Sequence, residues 1–225
     1  MTVGAIILAA GRGERMRSGA SKAFLDLGGR PLFVRSIEAF AGVPRVDQIV
    51  VVVRRDDVAA ARAAVAPIVP DADVVVGGAT RRESSLAGIR AATAETVLIH
   101  DGCRPFVHQA LIDRVIDAAE CHDGVVPVLP STETLYLLQD GGDRVLRALD
   151  RASIVRAQTP QGFRRSLILR CLKAADPTVT DDASALIMQG EPVLIVEGDP
   201  ANLKVTVPED LRWAEAFIDR TDRHL

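Results

Sequence analysis

Hydrophobic and polar positions along the chain fall into two alternating patterns. Short runs that are apolar at nearly every position, Val3–Ala9, Gln48–Val53, Asp73–Val76, Thr96–His100 and Val125–Val128, predict strands covered on both faces. Between them lie stretches with helical spacing. Phe33, Ile37 and Phe40 follow Pro31, which suits a first helical turn, and the Ala-rich stretch Asp56–Val65 is stopped by Pro67. A further helix is predicted from about Glu83 to Ala92. Another, Gln109–His122, carries Leu111, Ile112, Val115, Ile116 and Ala119 on one side. Strands alternating with helices at this rhythm predict βαβ crossovers. The expected class is α/β, a Rossmann-like, mostly parallel sheet with helices on both faces.

The rhythm breaks once. Thr134–Gln139 and Arg144–Leu149 are short β-like runs around Asp140-Gly141-Gly142-Asp143, a hairpin signal. A hairpin inserted in such a fold has few core neighbours, so residues 134–151 are expected to form an extended β-arm, a lid or a dimer contact. Alternation then resumes with a helix over Arg165–Ala175, a helix starting near Thr180-Asp181-Asp182, and a strand at Val193–Glu197. A last helix opens on Thr206-Val207-Pro208-Glu209, which reads as a capping box, and continues through Trp213 and Phe217. No internal repeat or linker interrupts residues 1–225, which are expected to form one domain.

Composition narrows the function. At 225 residues the chain can bury a sizeable core, with 48% apolar and 25% charged residues. Aromatic residues are only 4% and the formal net charge is −3, which argues against a nucleic-acid-binding surface. Cys103, Cys121 and Cys171 are odd in number and widely spaced, so neither a disulfide framework nor a zinc site is expected. Cys103 reads as a small buried filler. His100, Asp101 and His108 are too scattered to read as a metal site. The first apolar run is too short to span a membrane and lacks a basic flank, so a reduced, cytoplasmic protein is expected.

Charge is concentrated where the pattern first breaks. From Gly11 to Lys22 the chain carries Arg12, Arg15, Arg17 and Lys22 against Glu14 alone. This loop leaves the carboxyl end of the first strand, where parallel sheets bind ligands. Gly11 and Gly13 allow close backbone approach, and arginine forks two donors onto phosphate oxygens. The simplest ligand is a polyphosphate. A Walker A loop does not fit Gly19-Ala20-Ser21-Lys22. A dinucleotide fingerprint meets Met16 where its third glycine belongs, and Arg54-Arg55 ends the second strand, leaving only an NADP-type reading of it. The series Ala9-Ala10-Gly11-Arg12-Gly13-Glu14-Arg15-Met16, followed by Lys22, fits a nucleotidyltransferase signature throughout.

Further segments, "VVGGATRRESS", "HDGCRPF", "VPVLPSTETL", "DRASIVRAQTPQGF", "TDDASAL" and "NLKVTVPEDL", follow in order along almost the whole chain. Together they resemble the 2-C-methyl-D-erythritol 4-phosphate cytidylyltransferases of non-mevalonate isoprenoid synthesis. The resemblance implies a nucleotidyltransferase fold and transfer of a cytidylyl group from CTP, with Mg²⁺ held mainly by the CTP phosphates, near Asp101. It implies catalytic roles for Arg15, Lys22, Arg151 and Lys204. Ala9, Ala10, Gly11, Gly13, Gly77, Gly78, Ser84 and Asp101 match nucleotide-binding positions, and Arg104, Thr134 and Thr159 match acceptor-binding ones. It also implies a homodimer in which Arg151, on the arm, reaches the neighbouring subunit's site. Ser21 and Ala23 flank Lys22 where the family places Pro and Gln. Gly102-Cys103 replaces small alanines, and Tyr136 stands where a lysine is usual. The acceptor therefore stays open between methylerythritol phosphate and another polyol phosphate such as ribitol 5-phosphate. A non-catalytic nucleotide-binding protein is the alternative of a different class.

Overall fold

The computed structural model describes residues 1–11, 13, 21–139, 142–176 and 179–222. Its elements, in chain order, begin with β1 (Val3–Leu8), α1 (Leu32–Ala41), β2 (Gln48–Val53), α2 (Val58–Val65), β3 (Asp73–Val76), α3 (Arg81–Ala91) and β4 (Thr96–Asp101). They continue with α4 (Gln109–Ala119), β5 (Gly124–Pro130), β6 (Tyr136–Leu138), β7 (Val145–Ala148), β8 (Val155–Ala157) and β9 (Gln161–Arg164). Helices α5 (Arg165–Ala174) and α6 (Asp182–Met188), strand β10 (Leu194–Glu197) and helix α7 (Pro208–Asp222) complete the chain.

The main sheet runs β10-β5-β9-β4-β1-β2-β3, with β8 paired to β5. Strand β1 is central and parallel to both β2 and β4, placing Leu8 beside Val52 and Asp101. Side chains alternate across each strand, and here both faces are apolar. Val3, Ala5 and Ile7 of β1 join Phe33, Ile37, Phe40, Val65 and Val115 in one buried cluster. Ile6 points the other way and packs with Leu86, Ile89, Ile168 and Leu186 in the second. The strands read as continuous apolar runs because α1, α2 and α4 cover one face and α3, α5 and α6 the other. A smaller cluster under α7 joins Leu27, Leu32, Phe106, Val205, Ala214 and Ile218.

Two strands were not foreseen from the sequence, and two helix starts need correction. First, β9 and β8 are antiparallel members of the sheet, and β9 lies between β4 and β5. Its sequence, Gln-Gly-Phe-Arg, has no apolar run to announce it, and Gly162 lets the strand pass close under Val115 and Leu98. Second, α3 begins at Arg81 rather than near Glu83. The Thr80 side chain accepts from the Glu83 N–H, and the Glu83 carboxylate accepts from the Thr80 N–H, a complete capping box. Third, α7 is not capped by Thr206 and Glu209. Instead the Asp210 carboxylate accepts from the N–H groups of Thr206 and Val207.

Strands β6 and β7 pair antiparallel only with each other, in a two-stranded sheet apart from the main one. Its residues are solvent-exposed, including Tyr136, Leu138, Val145 and Leu146. Among the described residues no helix is long and apolar enough to cross a membrane. Cys103, Cys121 and Cys171 are free thiols.

Candidate active site

A cavity of about 660 Å³ opens at the carboxyl ends of β1, β2, β3 and β4. This is the end of the parallel strands at which ligands bind, where the connections leaving the neighbouring strands β1 and β4 lead toward opposite edges of the sheet. Its volume lies in the range of small-molecule sites. Each wall comes from one stretch of chain: Ala9, Ala10, Gly11, Gly13 and Lys22 after β1, Arg54, Arg55 and Asp56 after β2, and Gly77, Gly78, Arg81 and Ser84 between β3 and α3. Asp101 and Cys103 after β4 and Lys204 before α7 close the remaining side.

Two glycines are required by geometry. Gly13 has φ of +64°, and a Cβ there would lie 2.7 Å from the Lys22 Cβ. Gly77 sits where a Cβ would meet Ser84 Oγ at 2.7 Å and Ala10 Cβ at 2.8 Å, so β1 and α3 can approach across it. Ser84 Oγ donates to the Thr80 carbonyl at 3.0 Å and accepts from the Gly78 N–H at 3.3 Å, tying the Gly77–Gly78 loop to α3. Gly77→Ala is expected to raise the KM for nucleotide about tenfold and lower stability by about 1–3 kcal/mol, as overpacking does. Steady-state kinetics and a denaturant titration check it; an unchanged KM would show that the close approach does not shape the nucleotide pocket.

Asp101 is the electrostatic centre. Lys204 Nζ lies 2.7 Å from Asp101 Oδ2, Arg81 Nη2 lies 3.3 Å from Oδ1, and Arg104 Nε lies 3.9 Å from Oδ2. Burial alone would raise the Asp101 carboxyl, but Arg81, Lys204 and Arg104 together hold it well below the usual carboxylate range. Burial lowers the Lys22 ammonium from its ordinary value. Lys204 pushes the same way, and Cys103 and Asp101 offset them only in part. Lys22 and Lys204 therefore present two neighbouring cations to one cavity. That arrangement is poised for a strongly anionic ligand, which relieves their mutual repulsion.

Behind Asp101 a buried hydrogen-bond chain fixes the end of β4. The Asp101 N–H donates to Thr159 Oγ1 at 3.1 Å, and Thr159 Oγ1 lies 3.2 Å from His100 Nδ1. His100 Nε2 lies 3.2 Å from the Arg104 carbonyl. Burial lowers His100 to about 4, so the ring is neutral at pH 7. A neutral ring with a carbonyl at Nε2 carries its proton there, which leaves Nδ1 to accept from the Thr159 hydroxyl. Arg104 Nη1 donates to the Asn202 carbonyl at 2.8 Å, and Asn202 Nδ2 donates to the Thr159 carbonyl at 2.7 Å. Three chain segments are thereby locked around one carboxylate.

This chain of bonds sets a pH dependence. An unfolded His takes up a proton near pH 6.5, whereas folded His100 resists until about pH 4. The unfolded state therefore binds more protons between those values, and stability falls as pH drops through that window. Asp101 contributes only lower down, because a depressed carboxylate loses its stabilising effect below its unfolded value near 3.9. The expected loss from pH 7 to pH 4 is on the order of 3 kcal/mol, read as a falling urea midpoint. His100→Asn should flatten that profile between pH 7 and 5. An equally steep profile in the variant would assign the effect to another group.

Of the residues singled out from the sequence, Ala9, Ala10, Gly11, Gly13, Lys22, Gly77, Gly78, Ser84, Asp101 and Lys204 line this one cavity. Arg15 lies outside the described residues. Arg104 and Thr159 are buried in the brace behind Asp101 rather than on the cavity wall; Arg104 Nη1 and Thr159 Oγ1 are hydrogen-bonded within the chain, and Arg104 Nε is not. Thr134 and Arg151 are exposed at the base of the β6–β7 hairpin, where Arg151 Nη1 donates to the Thr132 carbonyl at 3.3 Å. Cys103, read from the sequence as a filler, lines the cavity. Sequence reasoning missed Arg81, which bridges Asp101 and Asp182. The T-x-x-E pattern at Thr80–Glu83 was the available signal, since it puts Arg81 in the first turn of α3 at the cavity edge.

A parallel α/β sheet with a glycine-walled cleft, paired lysines and an arginine-clamped carboxylate at its carboxyl edge defines a nucleotidyltransferase. The profile of the family described as "IspD: 2-C-methyl-D-erythritol 4-phosphate cytidylyltransferase" matches residues 3–220. The chain belongs to the 2-C-methyl-D-erythritol 4-phosphate cytidylyltransferase family. It is 40% identical to the enzyme of that name from Geobacillus kaustophilus, with 97% of each chain aligned. It is 39% identical to the bifunctional enzyme IspD/IspF of Anaeromyxobacter dehalogenans, of which it spans 56%. Among solved structures, 4-diphosphocytidyl-2C-methyl-D-erythritol synthase from Anaerococcus prevotii superposes with a TM-score of 0.86 at 29% identity, covering 97% of this chain and 96% of that one. The Thermus thermophilus cytidylyltransferase gives 0.77 at 32% identity, covering 95% and 98%.

Proposed function

We propose that this chain transfers the cytidylyl group of CTP to 2-C-methyl-D-erythritol 4-phosphate, releasing pyrophosphate and forming 4-diphosphocytidyl-2-C-methyl-D-erythritol for isoprenoid precursor synthesis. The observation that carries the reading is the convergence of Lys22, Lys204 and Asp101 on one glycine-walled cavity at the carboxyl edge of the sheet. An acceptor phosphate oxygen attacks the α-phosphorus of CTP. The new P–O bond forms in line with the α–β bridging oxygen, which leaves with the pyrophosphate. The acceptor phosphate is already a nucleophile, so the chain needs no general base; its work is alignment and charge neutralisation. Lys22 neutralises the α-phosphate as negative charge builds there, and the resemblance to the family gives Arg15 the same role. Gly77, Gly78 and Ser84 form the wall suited to the base, and the backbone at Ala10, Gly11 and Gly13 the wall suited to the phosphates.

Mg²⁺ is the expected cofactor. Among the described residues no cluster of three metal-ligating side chains exists, and the cavity wall carries only Asp56 and Asp101 as carboxylates. With Asp101 held by Lys204 and Arg81, this donor set would suit an ion bound mostly by the triphosphate, with Asp101 as the residue that would assist in holding it, in keeping with a hard cation. The ion would supply neutralisation of the β- and γ-phosphates.

A homodimer through the β6–β7 hairpin would give Arg151 and Thr134 a role in the partner's site, since both sit on that excursion and away from the cavity wall of their own chain. Mixing Arg151→Glu protein with Lys22→Ala protein is expected to restore up to about a quarter of wild-type turnover, through the hybrid sites that carry both intact residues. No recovery on mixing would make each chain self-sufficient. The free cysteines fit a cytoplasmic location. The reaction itself is tested by pyrophosphate release with CTP and Mg²⁺, comparing methylerythritol 4-phosphate with ribitol 5-phosphate. Preference for the first supports the proposed acceptor. Preference for the second keeps the chemistry and moves the chain to polyol-nucleotide metabolism.

A further inference from the structure

Asp182 is a charged group that the transfer mechanism does not use. It is fully buried in the first turn of α6, beneath the cavity rather than on it, and neither carboxylate oxygen has a well-formed hydrogen bond. Its main compensation is the ion pair of Arg81 Nη1 to Asp182 Oδ2 at 2.7 Å, with the Ser85 hydroxyl as a second favourable neighbour. The same guanidinium turns its Nε and Nη2 to Asp101 Oδ1, at 3.4 and 3.3 Å. One arginine on the cavity wall is thus clamped between a buried carboxylate behind it and the site's central carboxylate in front. Helix α6 is held in place for this. Its Ala183 N–H donates to Gln161 Oε1 of β9, and Gln161 Nε2 donates to Asp181 Oδ2.

A buried, poorly hydrogen-bonded carboxylate is costly to keep, and a well-packed apolar pair of similar volume is often as stable or more so. Fold stability alone therefore gives weak reason for Asp182. Its position gives a better one. Arg81 lines the same cavity as Lys22 and Lys204 and, unrestrained, would be a third mobile cation competing for the phosphates. We propose that Asp182 is a positioning residue for nucleotide transfer: it holds the Arg81 guanidinium against Asp101, which keeps Arg81 off the triphosphate and leaves Lys22 and Lys204 to meet it. The inference rests on the cytidylyltransferase reading above. Two consequences follow from the geometry. Binding of CTP does not depend on the clamp, because a released Arg81 still attracts phosphate. Turnover does depend on it, because a released Arg81 both misplaces the α-phosphate and frees Asp101 to shift toward Lys204.

The test is steady-state kinetics with CTP and methylerythritol 4-phosphate on two variants. Asp182→Asn is expected to lower kcat at least tenfold with KM for CTP unchanged or lower. The apolar double variant Arg81→Met/Asp182→Leu removes the clamp while filling its space. It should fold with a Tm near or above wild type and show a kcat at least threefold above that of Asp182→Asn, because the competing cation is gone. A double variant with kcat no higher than Asp182→Asn would overturn the proposal, as would a kcat of Asp182→Asn within twofold of wild type. A rise in KM that accounts for the whole loss in Asp182→Asn would also overturn it. Should the wild-type chain itself release no pyrophosphate from either acceptor, the functional reading falls, and this inference with it. An active wild type with a fully active Asp182→Asn variant overturns this inference alone.

Discussion

Lys22→Ala should abolish turnover while leaving the protein folded. Lys22 lies in a short 3₁₀ turn, Lys22–Phe24, on the rim of the cavity. Its neighbours in the fold are Ala23, which is buried, and Phe24, which stacks on Phe33 with ring centroids 4.7 Å apart. The ammonium itself contributes little to that packing. It is a partly buried cation pushed below its ordinary pKa by burial and by Lys204, so the folded state gains nothing electrostatic from it. Removing it relieves a repulsion. On the proposed mechanism the transition state loses a donor at the phosphate where charge develops, and such a donor in a water-poor site is worth about 10²–10³ in rate or more. The expected result is a kcat reduced at least about 10³-fold with Tm within a few degrees of wild type. Turnover followed by pyrophosphate release, beside a thermal melt, checks both halves. A variant that keeps more than a tenth of wild-type kcat would remove Lys22 from the chemistry. One that melts far below wild type would show that the residue is structural.

The separation between catalysis and folding at Lys22 also explains what could be read from the chain. The apolar runs that became β1, β2, β3, β4 and β5 were legible because burial on both faces leaves no alternative composition for them. The phosphate-side loop was legible because the need is local: small residues for approach, cations for charge, in one continuous stretch. Lys204 and Asp101 were legible only through resemblance to a family, since nothing in their spacing of about a hundred residues predicts a 2.7 Å ion pair. Strand β9 was illegible for the opposite reason. Its place in the sheet depends on Gly162 having no side chain, and an absence carries no hydrophobic signal. Arg81 and Asp182 escaped for a third reason. Each reads locally as a helix-start residue, and only the packing of α6 against β9 makes them partners. Arg104 and Thr159, expected on the substrate from the resemblance, also take part in the brace that holds Asp101.

That brace leads to the second large effect, in which stability and activity fall together. Asp101→Asn removes the negative charge to which Lys204, Arg81 and Arg104 all turn. The three cations fare differently. Lys204 is partly exposed and can rotate into water, and Arg81 keeps Asp182. Arg104 is buried, and Asp101 is the carboxylate that offsets its burial. Its Nε already lacks a hydrogen bond, so the substitution leaves a buried charge without compensation. Breaking a buried pair by removing one partner costs about 3–5 kcal/mol. For a chain of this size, that lowers Tm by roughly 10 °C. Activity falls further than stability, because Lys204 loses the anchor that sets its position in the cavity. The expected kcat is at least about 10²-fold below wild type at temperatures where the variant is fully folded. Arg104→Met in the same background should recover much of the lost Tm, since the uncompensated cation is gone, without recovering kcat. Recovery of both would make Asp101 a purely structural counter-ion; recovery of neither would place the strain elsewhere in the brace.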